Sequence, residues 1–283
     1  SRMTMTRSSA ADSEWESVLS AANVKAMYLG KNDAIQRASV IDFLLRDREN
    51  PSSVMSVVEA ARSNARLVRV ALTREVWEAV NDTWMRLKDA LARPVSDADL
   101  PNVLELIRQQ SAQVRGALHG TMLRNDIFNF CRVGTFIERA DNVARILDVK
   151  YFVLLPSVSM VGSSIDNFQW EAILRSAAAE RSFAWLNKES GPRAIAEFLI
   201  LDQRLPRSIA FCYTNIARNL GYLEEGYGES RPSRAMCDET LARLTRTDVE
   251  TIFDGGLHEF IQWILQANNA LGLQIEQDYR FYA

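Results

Sequence analysis

Hydrophobic positions recur along this chain at helical spacing. From Pro51 to Leu91, the residues Val54, Val58, Ala61, Ala65, Val68, Leu72, Val76, Val80, Trp84, Leu87 and Leu91 follow one another in steps that are mostly three or four. That period predicts one long helix with a single buried stripe. Asn50 is its expected cap, Pro51 suits its first turn, and Pro94 ends it. Ser96 or Asp97 opens the next helix near Leu100, whose buried side carries Val103, Ile107 and Val114. A third long helix is expected from about Gly120 to Leu155, with Phe130, Val133, Ile137, Ala140, Ala144 and Leu147 inward. A loop from Pro156 to Asp166 follows. Further helices are predicted over Asn167–Asn187, Pro192–Leu201, Pro206–Leu223, Arg234–Leu244 and Leu257–Asp278, with an exposed, mobile loop at Glu224–Ser233. No segment alternates apolar and polar residues between hairpin signals. The fold class is all-α, a bundle of long helices.

Comparing the sequence with itself adds an organisation that periodicity does not reveal. WESVL at Trp15–Leu19 aligns with WEAIL at Trp170–Leu174, an offset of 155. FLLRDRENPSSV from Phe43 aligns with FLILDQRLPRSI from Phe198 at the same offset, so Asp47, Pro51 and Asn64 match Asp202, Pro206 and Asn219. We read an internal duplication within one all-α domain spanning 1–283. Repeat 1 covers about 1–119 and repeat 2 about 120–283. The Gly120–Leu155 helix precedes Trp170, and its counterpart before Trp15 is expected to be missing, with RMTMTR at Arg2–Arg7 as its tail. The two histidines sit in similar contexts, GALH and GGLH, at the different offset of 139. Each follows a Leu at an expected helix start.

Composition narrows the chemistry. The 283 residues are 47% hydrophobic and 24% charged, ample for a sizeable core. A net charge of −3 argues against a general nucleic-acid surface. The most apolar stretch, from Tyr151, is about 12 residues long and contains Pro156, too short to span a membrane. The start of the chain has no apolar signal-peptide core, and a cytoplasmic protein is expected. Cys131, Cys212 and Cys237 lack CxxC spacing and read as small buried hydrophobes. Two histidines and no Glu-x-x-His pair argue against a metal site. Neither a glycine-rich phosphate loop nor a GxSxG elbow occurs, so no cofactor is expected. Trp77, Trp84, Trp170, Trp185 and Trp263 lie in apolar periodic stretches and read as core. The aromatic end, Asp278–Tyr282, reads as docked.

The unusual stretch is HGTMLRNDIFNFCRVGTFIERADNVARILDVKY, from His119 to Tyr151. Thr135, Glu138, Asn142, Arg145 and Val149 recur in steps of three and four, which places four polar groups on one helical stripe. Arg132 and Arg139 lie seven apart on an adjoining line. If the helix is largely buried, these charges must be paired, because an unpaired buried charge is costly. Two readings stand side by side. In one, Glu138 and Arg139 pair with charged groups on neighbouring helices and fix the bundle's register. In the other, Glu138, Arg139, Asn142 and Arg145 line a cleft for an anionic or carboxylate-bearing ligand, since Arg presents a planar donor fork to carboxylates. His119, Arg124 and Arg132 join the candidate ligand-binding set, with Glu138 as the candidate catalytic group.

GTFIERADNVARILD at Gly134–Asp148 resembles the Glu-Arg signature of the bacterial alpha-E family. HGTMLRND, FLLRDRENPSSV, LPSVS, GSSIDNFQWE, FLILDQRLPRS, LGYL and DYRFY resemble the same family, so the likeness covers essentially the whole chain. The resemblance implies an all-helical protein with two Glu-Arg helices, of which this sequence holds the second, as Glu138 and Arg139. It also implies association with ATP-grasp ligases and transglutaminase-like proteins encoded nearby, and hence a part in making or modifying peptide or amide bonds. On that basis two functions are expected. One is a non-catalytic, accessory helical component that binds the ligase or its peptide or carboxylate substrate. The other is an enzyme in which Glu138 is the general base while Arg132, Arg139 and Arg145 hold a carboxylate or acyl-phosphate.

Overall fold

The computed structural model describes residues 15–153, 164–186 and 191–280, and side chains over the same ranges except 149–153 and 164–168. Among the described residues there are fourteen α-helices and no strands. The chain divides into two compact units, 1–124 and 125–283.

The first unit contains α1 (15–21), α2 (Lys25–Leu29), α3 (Arg37–Leu45), α4 (Val54–Leu67), α5 (Arg74–Ala90) and α6 (Leu100–Thr121). The helix expected over Pro51–Leu91 is therefore two. A 3₁₀ turn at Arg69–Ala71 follows α4, Leu72 is extended, and Thr73 caps α5 by accepting from the Val76 amide at 3.4 Å. A threonine hydroxyl that caps a new helix competes with continuing the old one. Ala61 and Val68, expected inside, lie outside. The cap of α4 is Ser53, not Asn50, and its hydroxyl accepts from the Ser56 amide. Asn50 is buried beneath the turn, where its side chain donates to the Phe43 carbonyl at 3.0 Å and accepts from the Ser52 amide. The core is small: Leu19, Val24, Tyr28, Val40 and Phe43 form one cluster, and Ile41, Leu45, Met55, Leu87, Leu91 and Val103 another.

The second unit contains α7 (Asp126–Val153), α8 (Ser164–Ser176), α9 (Glu180–Leu186), α10 (Pro192–Ile200), α11 (Ile209–Tyr227), α12 (Pro232–Arg246), α13 (Val249–Asp254) and α14 (Leu257–Tyr279). The helix expected from Gly120 begins at Asp126 instead, because α6 runs through to Thr121. His119 thus stands in the last turn of α6, while His258 stands in the first turn of α14. They do not occupy equivalent places. The segment expected as one helix from Asn167 breaks after Ser176, where Ala178 takes a left-handed φ of 50°. The expected Glu224–Ser233 loop shrinks to four residues, since α11 continues to Tyr227 and closes on left-handed Gly228. Ser233, at its far end, is fully buried. The expected loop at Pro156–Asp166 lies mostly outside the described residues; Ser164–Asp166 belong to α8. One large apolar cluster fills this unit, drawn from α7, α8, α10, α11 and α14, with contributions from α9, α12 and α13. Trp170 is buried in it, whereas Trp185 is 85% exposed and Cys131 lies at the surface, contrary to expectation. Tyr279 docks edge-on against Phe130 with ring centroids 4.9 Å apart, and Asp278 accepts from the Ser233 amide at 2.8 Å. Phe281 and Tyr282 lie outside the described residues.

The two units share local geometry at the offset of 155. The starts of α2, α3 and α4, at 25, 37 and 54, recur as 180, 192 and 209 for α9, α10 and α11. After α1, Val24 donates to the Leu19 carbonyl; after α8, Ala179 donates to that of Leu174. Asn23 and Ala178 both adopt left-handed φ, at 56° and 50°. The Asp47 carboxylate accepts from the Glu49 amide, and Asp202 accepts from that of Arg204. Ser53 and Ser208 cap α4 and α11 with nearly identical backbone angles. Beyond these elements the offset drifts: α5 and α6 start at 74 and 100, α12 and α14 at 232 and 257.

Candidate functional site

Helix α7 carries most of the candidate residues. Asn125 opens it by accepting from the Phe128 amide. Val133, Phe136, Ala140, Val143, Ala144 and Leu147 are buried in the unit's core. The stripe of Thr135, Glu138, Asn142 and Arg145 faces the other way. Glu138 and Asn142 are exposed, and Thr135 and Arg145 are half-buried. This corrects the expectation of a largely buried helix whose charges sit deep between neighbours. The sequence of α7 is apolar in most directions, so its pattern could not say which direction the packing would leave open.

Arg132 and Arg139 both lie against the ring of Phe136, which is fully buried. Their guanidinium carbons are 4.3 and 5.6 Å from its centroid. Arg139 also donates to the Pro206 carbonyl at 3.4 Å, just before α11. Phe136 itself meets Phe211 edge-on at 6.0 Å. Beneath this arrangement burial pushes the Cys212 thiol up to about 12, with the Arg139 charge opposing and the Glu138 charge reinforcing that shift. Arg145 is held one helical turn away from Asp141, which accepts from it through both oxygens at 2.7 and 3.1 Å.

Arg124 and His119 belong to the first unit, whereas the α7 residues belong to the second. Arg124 donates to the carbonyls of His119 at 2.6 Å and Met122 at 3.0 Å, satisfying carbonyls where α6 ends. Its guanidinium closes a helix terminus, and His119 is exposed there.

A polar cluster that the linear pattern did not single out joins α7 to α14. His258 Nδ1 lies 2.7 Å from an Asp148 oxygen, and Gln262 donates to the other oxygen at 3.0 Å. Asp148 ends the Glu-Arg stretch, and His258 and Gln262 stand one turn apart on α14. The aspartate and histidine are 110 residues apart in sequence, so no local spacing connects them. A carboxylate on one ring nitrogen fixes the orientation of an imidazole. Elsewhere in the unit, a groove of about 650 Å³ is lined by α12 and α14 side chains, including Met236, Thr240, Arg243, Arg246 and Trp263. Arg243 lies 3.7 Å from the centre of the Trp263 ring. None of the α7 candidates lines this groove.

Among the described residues no group of three His, Cys, Asp or Glu side chains is placed to hold a metal ion. No described helix is long and apolar enough to cross a membrane. No curated protein and no solved structure matches the chain. A family model does match, over residues 1–280, described as a predicted alpha-helical domain with a conserved ER motif. Glu138 and Arg139 are the Glu-Arg pair of the stretch that resembles this family, and they lie side by side on α7. With a family model that spans nearly its full length and an entirely helical fold among the described residues, the chain belongs to the Alpha-E family.

Proposed function

We propose that this chain is a non-catalytic, accessory helical component of a cytoplasmic ATP-grasp-type peptide or amide ligase system. The solvent-facing side of α7 would bind the ligase or its carboxylate-bearing peptide substrate. One observation carries this reading: Arg132 and Arg139, half-buried on the line beside the exposed Glu138 and Asn142, both lie against the single buried ring of Phe136. A guanidinium stacked on an aromatic face is held in a fixed plane, the geometry that suits two-point recognition of a carboxylate. The resemblance to a family associated with ATP-grasp ligases supplies the partner class.

The test is a titration of this chain with an ATP-grasp ligase of the proposed partner class. The Arg132→Ala/Arg139→Ala double variant should bind at least tenfold more weakly while keeping its helical circular-dichroism spectrum. Equal affinity in the double variant would sink the reading.

The second reading is an enzyme acting on a carboxylate or acyl-phosphate, with Glu138 as base and the arginines holding the substrate. The exposure of Glu138 beside Arg139 favours it, and the Asp148–His258 contact adds an oriented imidazole about 15 Å further along α7. It predicts that Glu138→Gln or His258→Gln abolishes turnover by the reconstituted ligase system without weakening the complex. Unchanged turnover in both variants would dismiss it.

A further inference from the structure

The correspondence between α4 and α11 exposes a difference in how the two helices are covered. In the second unit α11 is sandwiched. On one side α12 packs on it, with Arg234 donating to the Ala217 carbonyl at 2.9 Å and the Cys237 thiol 3.9 Å from the Tyr213 carbonyl. On the other side lies α7, with Phe136 against Phe211 and Arg139 reaching Pro206. Along α11, Cys212, Ile216, Asn219 and Leu223 are all buried.

In the first unit α5 takes the place of α12. Arg62, the counterpart of Ala217, donates to Asn81 on α5 at 2.8 Å. The counterparts of Cys212, Ile216, Asn219 and Leu223 are Val57, Ala61, Asn64 and Val68, spaced four, three and four, the first three on α4 and Val68 at its C-cap. All four are exposed, Val57 by 52% and Val68 by 47%. The stripe is apolar or small apart from Asn64, and that position is also asparagine in α11. A helix that buries this line in one unit leaves it open in the other.

We propose that the Val57–Ala61–Asn64–Val68 face of α4 is a docking site for one amphipathic α-helix with the chemistry of α7. Such a helix presents a line of Val, Phe, Ala and Leu flanked by arginine. The small side chains of Ala61 and Asn64 let the two backbones approach, as helix packing requires. The Pro51 carbonyl, which matches Pro206, is the acceptor for an arginine placed as Arg139 is. This inference is independent of the ligand reading of α7, which concerns the other unit.

The test uses the full chain and a fluorescently labelled peptide of residues 126–148, the described α7 sequence. The peptide should bind saturably at one site and gain helical circular dichroism. Binding should fall at least tenfold in Ala61→Glu and in Val57→Asp, and stay within twofold in Leu104→Glu, an exposed position on α6. Positions this exposed leave the fold intact, which thermal melting checks. Absence of binding would overturn the proposal, as would equal binding by all three variants. Sedimentation of the chain alone covers the other occupant. A dimer that Ala61→Glu dissociates would assign the face to a second copy and overturn the helix-ligand assignment.

Discussion

Replacing Phe136 with leucine tests the idea that a buried ring positions two surface guanidiniums. Phe136 is fully buried, so leucine keeps most of the apolar burial and removes the ring. Three contacts are lost. The edge-on pairing with Phe211 at 6.0 Å is worth about 0.5–1.5 kcal/mol. The Arg132 and Arg139 contacts at 4.3 and 5.6 Å are worth about 0.5–1 kcal/mol each at partly exposed sites. The expected loss in urea-unfolding stability is therefore about 1.5–3.5 kcal/mol, which reaches only the low end of the roughly 3–5 kcal/mol of a full Phe→Ala truncation. A double-mutant cycle isolates the part that matters: Phe136→Leu combined with Arg132→Gln should give a coupling of about 0.5–1 kcal/mol. A coupling below about 0.2 kcal/mol would refute the claim that the ring holds Arg132, and a loss as large as that of Phe136→Ala would refute the packing estimate.

Further expectations follow from the caps, the thiols and the C-terminal dock. Ser208→Ala and Ser53→Ala should each cost about 1 kcal/mol in equilibrium unfolding, since each hydroxyl accepts from the third amide of its helix. Cys212 and Cys237, both buried with thiols pushed up to about 12 by burial, should resist a thiol reagent until the protein is denatured. At Asp278, burial alone would raise the carboxyl, but its hydrogen bonds from Ser233 and Gln274 and the charge of Arg231 outweigh that and hold it below its ordinary 3.8. A depressed folded value means that its stabilisation is present above the ordinary carboxylate range and is lost as pH falls through the folded value. Asp278→Asn should therefore lower Tm at pH 7 and flatten the fall in Tm on acidification; an unchanged acid slope would contradict this.

How much of this was written in the linear pattern differs from element to element. The offset of 155 in the sequence anticipated matching helix starts, because the same capping residues, Ser53 and Ser208, end the same kind of turn. The break between α4 and α5 was hidden because the apolar spacing runs through it, and Thr73 acts through a hydroxyl that periodicity does not weigh. The Glu-Arg stripe was found by spacing, but its exposure was not. Spacing fixes which residues share a direction on α7, and only the placement of α11 and α14 decides which direction stays open. The Asp148–His258 contact was invisible for the same reason, since it exists only once α7 and α14 pack. Unequal cover on α4 and α11 likewise belongs to packing and not to pattern.

The central claim is that the Glu-Arg pair serves recognition and not the register of the bundle. The most direct measurement pairs the unfolding stability of Arg139→Ala and Glu138→Gln with their affinity for an ATP-grasp ligase of the proposed partner class. Arg139 donates to the Pro206 carbonyl at 3.4 Å and lies 5.6 Å from the centre of the Phe136 ring, so Arg139→Ala should cost no more than about 2.5 kcal/mol. The account predicts that small loss together with at least a tenfold drop in ligase affinity for Arg139→Ala. A stability loss of about 3 kcal/mol or more, with unchanged affinity per folded molecule, would contradict it and return the pair to a structural role.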